Sequence, residues 1–274
     1  MTDTQTEFQT VRNLLESVGA HPKRAYGQNF LIDRGAIADI VSLFDLSAYD
    51  TVVEIGPGLG ALTLPLSRQA KHLIAVEADR DMVTLLTRRL AGVDNVTVVA
   101  SPFEHWDHQG IDGRLAVLGN LPYNLTTKLL ELAVQMGAES LGFMVQREVA
   151  DKLTYDPKRT DCSPLALYLH LLGGVRASVD VPRGAFYPVP GVDSTFIAID
   201  VKENVPFAAY VGFKKLLLTP NKKLANVLPQ VVSDPELRAE LAERYVALMP
   251  LRARQVEPEK LLPLALAVGC GTRG

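Results

Sequence analysis

The run Gly119-Asn-Leu-Pro-Tyr-Asn124 concentrates groups that can do chemistry. Asn120 offers an amide oxygen, Leu121 a carbonyl just ahead of a proline, and Tyr123 an aromatic face. Pro122 fixes its own φ and biases Leu121 toward an extended backbone, which holds the Leu121 carbonyl in one direction. Two acceptors beside an aromatic plate suit an exocyclic amine on a planar base. The acceptors take the two N–H hydrogens, the ring stacks on Tyr123, and the nitrogen lone pair is left to face a sulfonium methyl. The bland alternative is a turn leading into a helix.

Such a loop needs a strand behind it and a partner site beside it. Residues 115–118 are a short apolar run, and ligands of parallel sheets bind outside the carboxyl ends of the strands. A second corner is written at Thr51-Val-Val-Glu-Ile-Gly-Pro-Gly-Leu-Gly60, a β-branched strand followed by glycines at 56, 58 and 60. The glycines allow a sharp turn and a close ligand approach. They fall at i, i+2 and i+4 behind the acidic Glu54, a spacing unlike the dinucleotide fingerprint Gly-x-Gly-x-x-Gly and closer to the S-adenosylmethionine loop of class I methyltransferases. The next strand ends at Glu77, where a carboxylate can accept both hydroxyl hydrogens of a ribose. A ligand-free turn in an α/β core is the competing explanation of the glycines alone.

From Thr51 the sequence alternates strand and helix. Strands are expected at 51–55, 72–76, 96–99, 115–118, 141–145 and 195–201. Helices are expected at 61–69, 80–90, 126–135, 147–153 and 163–172, which implies an α/β fold with a mostly parallel, Rossmann-like sheet. Val181 to Asp193 contains three prolines and is expected as an extended loop. After Val201 the pattern is helical, at 208–218, 222–228, 235–247 and 258–267, with prolines between. Two domains are therefore expected, 1–201 and a small helical one at 202–274.

Ahead of the sheet, a short amphipathic helix around Val11 to Val18 leads into His21-Pro-Lys-Arg-Ala-Tyr-Gly-Gln-Asn-Phe-Leu-Ile-Asp33, with Asp33 placed to cap the next helix. This irregular stretch reads either as an arm packed on the core or as one that closes over a cofactor and offers Lys23 and Arg24 to phosphates.

The 274 residues, 47% apolar and 22% charged, describe a globular chain with no apolar run long enough for a membrane span. Two cysteines exclude a disulfide framework, and His105, Asp107 and His108 read as a polar loop, so no metal is expected. No secretory signal is visible, and a cytoplasmic monomer is expected. The net charge of −3 divides unevenly. Residues 205–274 hold ten Lys or Arg and six acids, a net +4, leaving −7 for residues 1–204. A basic helical tail with Lys214, Lys215, Lys222 and Lys223 fits a polyanion such as RNA, although solvated helix faces are often this basic. Ser163, Ser194 and Trp106 read as cap, turn and packing residues.

Taken together, Gly27-Gln-Asn-Phe-Leu31, Val53-Glu-Ile-Gly-Pro-Gly-Leu-Gly60, Glu77, Asn120-Leu-Pro-Tyr-Asn124, Val145-Gln-Arg-Glu-Val149 and Phe186-Tyr-Pro-Val-Pro-Gly-Val-Asp-Ser194 resemble the small-subunit ribosomal RNA adenine dimethyltransferases, the KsgA family. The resemblance runs from about Lys23 to the C-terminus. It implies a class I methyltransferase domain with a small helical domain, and dimethylation of adenine N6 in small-subunit rRNA during ribosome assembly. It also implies that Asn29, Leu31, Gly56, Gly58, Glu77, Ser101 and Asn120 line the S-adenosylmethionine site. Asn120, Leu121, Pro122 and Tyr123 would hold the adenine, with Phe186 closing its other face. The chain departs from the family at Ser101, where an aspartate is usual, at Gly191, where a lysine is common, and at Asn221-Lys-Lys-Leu224, a less arginine-rich segment. Two alternatives share these motifs: a large-subunit methyltransferase of the macrolide-resistance (Erm) type, and an RNA-binding assembly factor with little catalysis.

Overall fold

The computed structural model describes residues 3–23, 28–120, 126–156, 158 and 163–271. Helix α1 (Asp3–Glu16) precedes a two-residue strand β1 (Phe30–Leu31) and helix α2 (Arg34–Ser42). Asp33 caps α2, accepting from the Ala36 amide at 2.8 Å. Then follow β2 (Thr51–Ile55), α3 (Thr63–Ser67), β3 (Leu73–Glu77), α4 (Arg80–Arg89), β4 (Val96–Ala100), β5 (Leu115–Gly119), α5 (Thr126–Gln135) and β6 (Ser140–Gln146). The chain continues through α6 (Arg147–Ala150), α7 (Pro164–Leu172), β7 (Val175–Val181), β8 (Phe186–Tyr187) and β9 (Ser194–Asp200). Four helices close it: α8 (Ala208–Leu216), α9 (Leu224–Val231), α10 (Pro235–Arg244) and α11 (Pro258–Cys270).

Seven strands form one sheet in the order β4-β3-β2-β5-β6-β9-β7, and the five from β4 to β6 are parallel. The first strand of the alternation, β2, lies inside the sheet with β3 on one side and β5 on the other. The strand order reverses there, and such a switch point opens a crevice at the carboxyl ends of the two strands. Register makes this crevice specific. Ile55 stands opposite both Val76 and Gly119, and Glu77 opposite Ala100. The residues that leave the sheet next are therefore neighbours: Gly56, Ala78, Ser101 and Asn120.

The strands read from sequence are present to within two residues, but other regions differ from expectation, the helix expected at 147–153 being only Arg147–Ala150. The helix expected at 61–69 is only Thr63–Ser67. Val175 to Val181 is a strand at the end of the sheet order, with side chains alternating between half-buried and exposed. Within the stretch expected as loop, Phe186–Tyr187 pairs antiparallel with Phe30–Leu31.

The chain divides into two compact units, Met1–Ala150 with Arg176–Ile199, and Asp151–Val175 with Asp200–Gly274. Segment Asp151–Val175, expected with the first, groups with the C-terminal helices. Within that second unit Tyr168 donates its hydroxyl to the Val205 carbonyl at 2.9 Å and its ring meets those of Phe207 and Tyr210. In the first unit, Val52, Ala116, Leu118 and Phe196 from the sheet pack with Ile40 and Val41 of α2 and with Leu62 and Leu66. Ala75 packs with Leu86 and Leu90 of α4.

Candidate active site

The glycine turn leaves β2 with all three glycines at positive φ: 64° at Gly56, 55° at Gly58 and 81° at Gly60. That region penalises any residue with a Cβ. At Gly60 a Cβ would also come within 2.7 Å of Leu86 Cδ1, so this glycine lets α4 pack against the turn. The Arg89 guanidinium of α4 donates to the Leu59 carbonyl and ties the two together.

Glu77 ends β3 and turns its carboxylate back to this corner. The Gly58 amide donates to Oε2 at 2.9 Å and the Asp79 amide to Oε1 at 2.8 Å. The group is 7% exposed, and burial raises its pKa against the opposing pull of those backbone N–H groups. Each oxygen keeps a further lone pair, the arrangement needed to accept two ribose hydroxyls.

Behind the turn Glu54 is buried, with its pKa pushed up to about 8 by desolvation. The Thr63 hydroxyl opposes the rise and the charge of Glu77 adds to it. Thr63 lies near but outside good hydrogen-bond geometry, so Glu54 Oε2 and Thr63 Oγ1 stay buried without a formal hydrogen-bond partner.

Asn120 leaves β5 beside the turn. Its Nδ2 donates to the Asn29 carbonyl at 3.3 Å, which sets the amide so that Oδ1 is the acceptor it offers. Leu121, Pro122 and Tyr123, the other expected adenine-holding residues, lie outside the described residues, as does Arg24. Ser101 follows β4, its amide donating to the Glu77 carbonyl at 2.9 Å. Its hydroxyl turns to the Pro102 carbonyl at 2.9 Å.

Two expected site residues, Leu31 and Phe186, lie in the β1–β8 ribbon. Its register places Leu31 opposite Phe186 and Phe30 opposite Tyr187. One face, Leu31 and Phe186, is sunk in the sheet core with Ala36, Ala185 and Phe196. Phe186 is 1% exposed and Leu31 4% exposed, so both side chains are buried here. The other face, Phe30 and Tyr187, packs with Leu59, Met82 and Leu85. Phe30 is the arm residue over the glycine turn, its ring 3.3 Å from where a Cβ on Gly58 would sit.

Lys23 is also placed differently from expectation. Its ammonium lies 2.6 Å from Asp79 Oδ1 and 2.7 Å from Asp81 Oδ2, and these bonds raise its pKa. A cation held by two carboxylates is not a ready phosphate contact. In the second unit, Lys214, Lys222 and Lys223 are exposed. Lys215 instead donates to the Val268 carbonyl at 3.2 Å, and burial lowers its pKa. Lys223 bridges antiparallel to Arg252, whose Nε donates to the Asn221 carbonyl at 2.8 Å. Arg252 therefore joins the exposed lysine pair, although 29 positions separate it from Lys223.

Among the described residues there is no cluster of His, Cys, Asp or Glu able to hold a metal ion, and no helix long and apolar enough to cross a membrane. Trp106 packs on Phe103 at 5.8 Å, and Ser163 caps α7 by accepting from the Ala166 amide at 3.0 Å.

A parallel sheet with this switch point, a three-glycine turn held by the carboxylate that ends the next strand, and an asparagine leaving the neighbouring strand define a Rossmann-like methyltransferase. Comparison with known proteins narrows the class. Residues 19–256 match the family model described as ribosomal RNA adenine dimethylase. The chain is 34% identical over 252 residues to ribosomal RNA small subunit methyltransferase A of Neisseria meningitidis, covering 89% of this chain and 95% of that protein. It is 36% identical over 218 residues to the protein of the same name from Lactiplantibacillus plantarum, covering 74% and 73%. Among solved structures, the 23S rRNA methyltransferase ErmE aligns with TM-score 0.64 and 26% identity over 88% of this chain and 99% of that one. A dimethyladenosine transferase from Plasmodium falciparum aligns with TM-score 0.68 and 20% identity over 85% and 94%, a likeness of fold. The chain belongs to the ribosomal RNA adenine dimethylase family.

Proposed function

We propose that this chain dimethylates adenine N6 in small-subunit ribosomal RNA during ribosome assembly, with S-adenosylmethionine as methyl donor. The observation that carries the reading is the adjacency of Asn120, its amide oriented by the Asn29 carbonyl, to the glycine turn closed by Glu77.

The residues present fit that donor. Glu77 would take the ribose hydroxyls on the free lone pairs of its two oxygens. Gly56 and Gly58 would let the ligand approach the backbone, and Phe30 would bound the site from the arm. Ser101 would stand beside the adenine ring of the cofactor, offering a hydroxyl where the family usually has a carboxylate. Bound there, the donor supplies an electrophilic methyl on sulfur.

The chain's own contribution is positioning. Asn120 Oδ1 accepts one hydrogen of the target amine, the Leu121 carbonyl accepts the other, and Tyr123 stacks on the base. The nitrogen lone pair is thereby turned to the methyl group. No tuned general base is needed, because the methylated nitrogen is acidic enough to lose its proton to water. Holding reactants in line accounts for rate gains of this type of transfer. The target adenine leaves its stack to be held this way. Phosphate contacts come from the exposed Lys214, Lys222 and Lys223, joined by Arg252, with Arg24 as the cation the arm offers.

Mass mapping of adenines in rRNA from cells with and without this chain tests the reading. Dimethyladenine confined to the small subunit and dependent on the chain supports it. Chain-dependent methylation in the large subunit alone would move the assignment to the Erm type.

A further inference from the structure

Asp79 is buried (2% exposed) at the N-cap of α4, and the proposed chemistry gives it no role. Its Oδ1 takes the Lys23 ammonium at 2.6 Å and the Asp81 amide at 3.0 Å, and its Oδ2 takes the Gln28 side-chain amide at 2.8 Å. Gln28 Oε1 in turn accepts from the Lys23 amide at 2.8 Å. One carboxylate thus holds both Lys23 and Gln28, 56 and 51 positions away in sequence. Its own amide is bonded to Glu77 Oε1. Immediately after Gln28 come the Asn29 carbonyl that orients Asn120 and the Phe30 ring that covers Gly58.

We propose that Asp79, with Lys23 and Gln28, is a latch that positions residues 28–31 and through them sets the orientation of the Asn120 amide. Asp79 is a positioning residue: it touches neither the base nor the methyl group. The proposal rests on the functional reading of Asn120 given above. The physical case is one of connection. A loose arm would leave the Asn29 carbonyl free to move, and an amide that loses its fixed partner can turn its NH2 toward the substrate amine, where a donor faces a donor. The salt bridge alone would not justify the assignment, since a surface ion pair contributes little. Here one partner is buried and shares its second oxygen with an amide, so removing the charge leaves a desolvated donor opposed by another donor.

The bonding pattern supplies a swap that a purely structural role would not obey. In Asp79→Asn the Oδ1 atom still serves Lys23 and the Asp81 amide, and asparagine is as good an N-cap as aspartate. Its NH2, however, faces the NH2 of Gln28. In Gln28→Glu the new carboxylate still accepts from the Lys23 amide but opposes Asp79 Oδ2. Combining the two substitutions lets the new NH2 at position 79 donate to the new carboxylate at position 28, and the pairing is complementary again.

The full-length chain would be assayed with undermethylated small-subunit particles and saturating S-adenosylmethionine, in single turnover. Each single variant should transfer methyl on the order of tenfold more slowly, the size of effect expected when reacting groups lose alignment. The double variant should recover to within about threefold of wild type, with thermal unfolding showing every variant fully folded at the assay temperature. Amide exchange at Leu31 and Ile32 should quicken in each single variant and slow again in the double. Wild-type rates in both single variants, or a double variant no faster than the slower single, would overturn the proposal. If the wild-type chain methylates no adenine, the functional reading fails instead. Exchange then still decides the latch: unaltered protection in the single variants refutes it.

Discussion

Glu77→Gln separates what the Glu77 carboxylate does for the fold from what it does for the cofactor. In the structure both oxygens are committed to backbone N–H groups, Gly58 at 2.9 Å and Asp79 at 2.8 Å. Glutamine keeps one acceptor, so one of those N–H groups faces an NH2, at a cost of about 1–3 kcal/mol. The same change removes a buried charge whose desolvation raises its pKa, and this stabilises the folded variant. The two terms oppose, and with about 2–4 °C per kcal/mol for a domain of this size the melting temperature should move by no more than about 4 °C. Cofactor binding has no such compensation. A hydroxyl bonded to a carboxylate is worth about 1.5–3 kcal/mol, so losing even one such bond weakens binding by about 10- to 150-fold. Calorimetric titration with S-adenosylhomocysteine beside thermal unfolding reads both quantities. An affinity within threefold of wild type would refute the placement of Glu77 on the ribose.

Further outcomes follow from the same geometry. Glu54 has a folded-state pKa of about 8 against an ordinary 4.5, so the folded chain keeps a proton that the unfolded chain releases, and stability declines as pH rises through that window. Glu54→Gln should flatten this decline between about pH 5 and 8; parallel pH–stability curves for the two proteins would show that Glu54 does not titrate there. Ser101→Asp should tighten cofactor binding by about three- to tenfold, replacing a hydroxyl by a charge-assisted acceptor. Unchanged affinity by titration would mean that position 101 does not face the ligand. In the basic tail, Lys222→Ala with Lys223→Ala should lower the salt slope of RNA binding by about 1.4–1.8, at 0.7–0.9 per lost phosphate contact. Lys215→Ala should leave it unchanged, because that ammonium is turned onto the Val268 carbonyl. Equal slopes for wild type and the double variant would make Lys222 and Lys223 a solvated face.

The parts of the site legible in the sequence are those where a strand end and a backbone requirement coincide. Glycines at 56, 58 and 60 follow a β-branched run because only they tolerate positive φ, and Glu77 and Asn120 follow runs that could only be buried strands. What escaped is set by pairing between distant segments. The Phe30–Leu31 and Phe186–Tyr187 ribbon has a period of two, so a shift of one residue exchanges core and site faces. Leu31 and Phe186 pack on the core face, whereas Phe30 and Tyr187 lie on the side of the glycine turn. Strand β7 alternates Val175, Ala177 and Val179 with Arg176, Ser178 and Asp180, and this polar alternation belongs to a strand at the sheet edge with one wet face. Lys23 reads as a free cation in the sequence because nothing local reveals that Asp79 and Asp81 lie beside it.

The central claim is that Asn120 aims an adenine amine at a methyl donor held by the glycine turn. The direct measurement is quantitative mass spectrometry of adenines in small-subunit rRNA treated with the purified chain and S-adenosylmethionine, wild type against Asn120→Ala, with RNA binding measured in parallel. The wild type should yield N6,N6-dimethyladenine, the variant about 10²-fold less or lower still, and RNA binding should be near-equal, since phosphate contacts dominate affinity. No dimethyladenine from the wild-type chain, or near-normal turnover by Asn120→Ala, would contradict it.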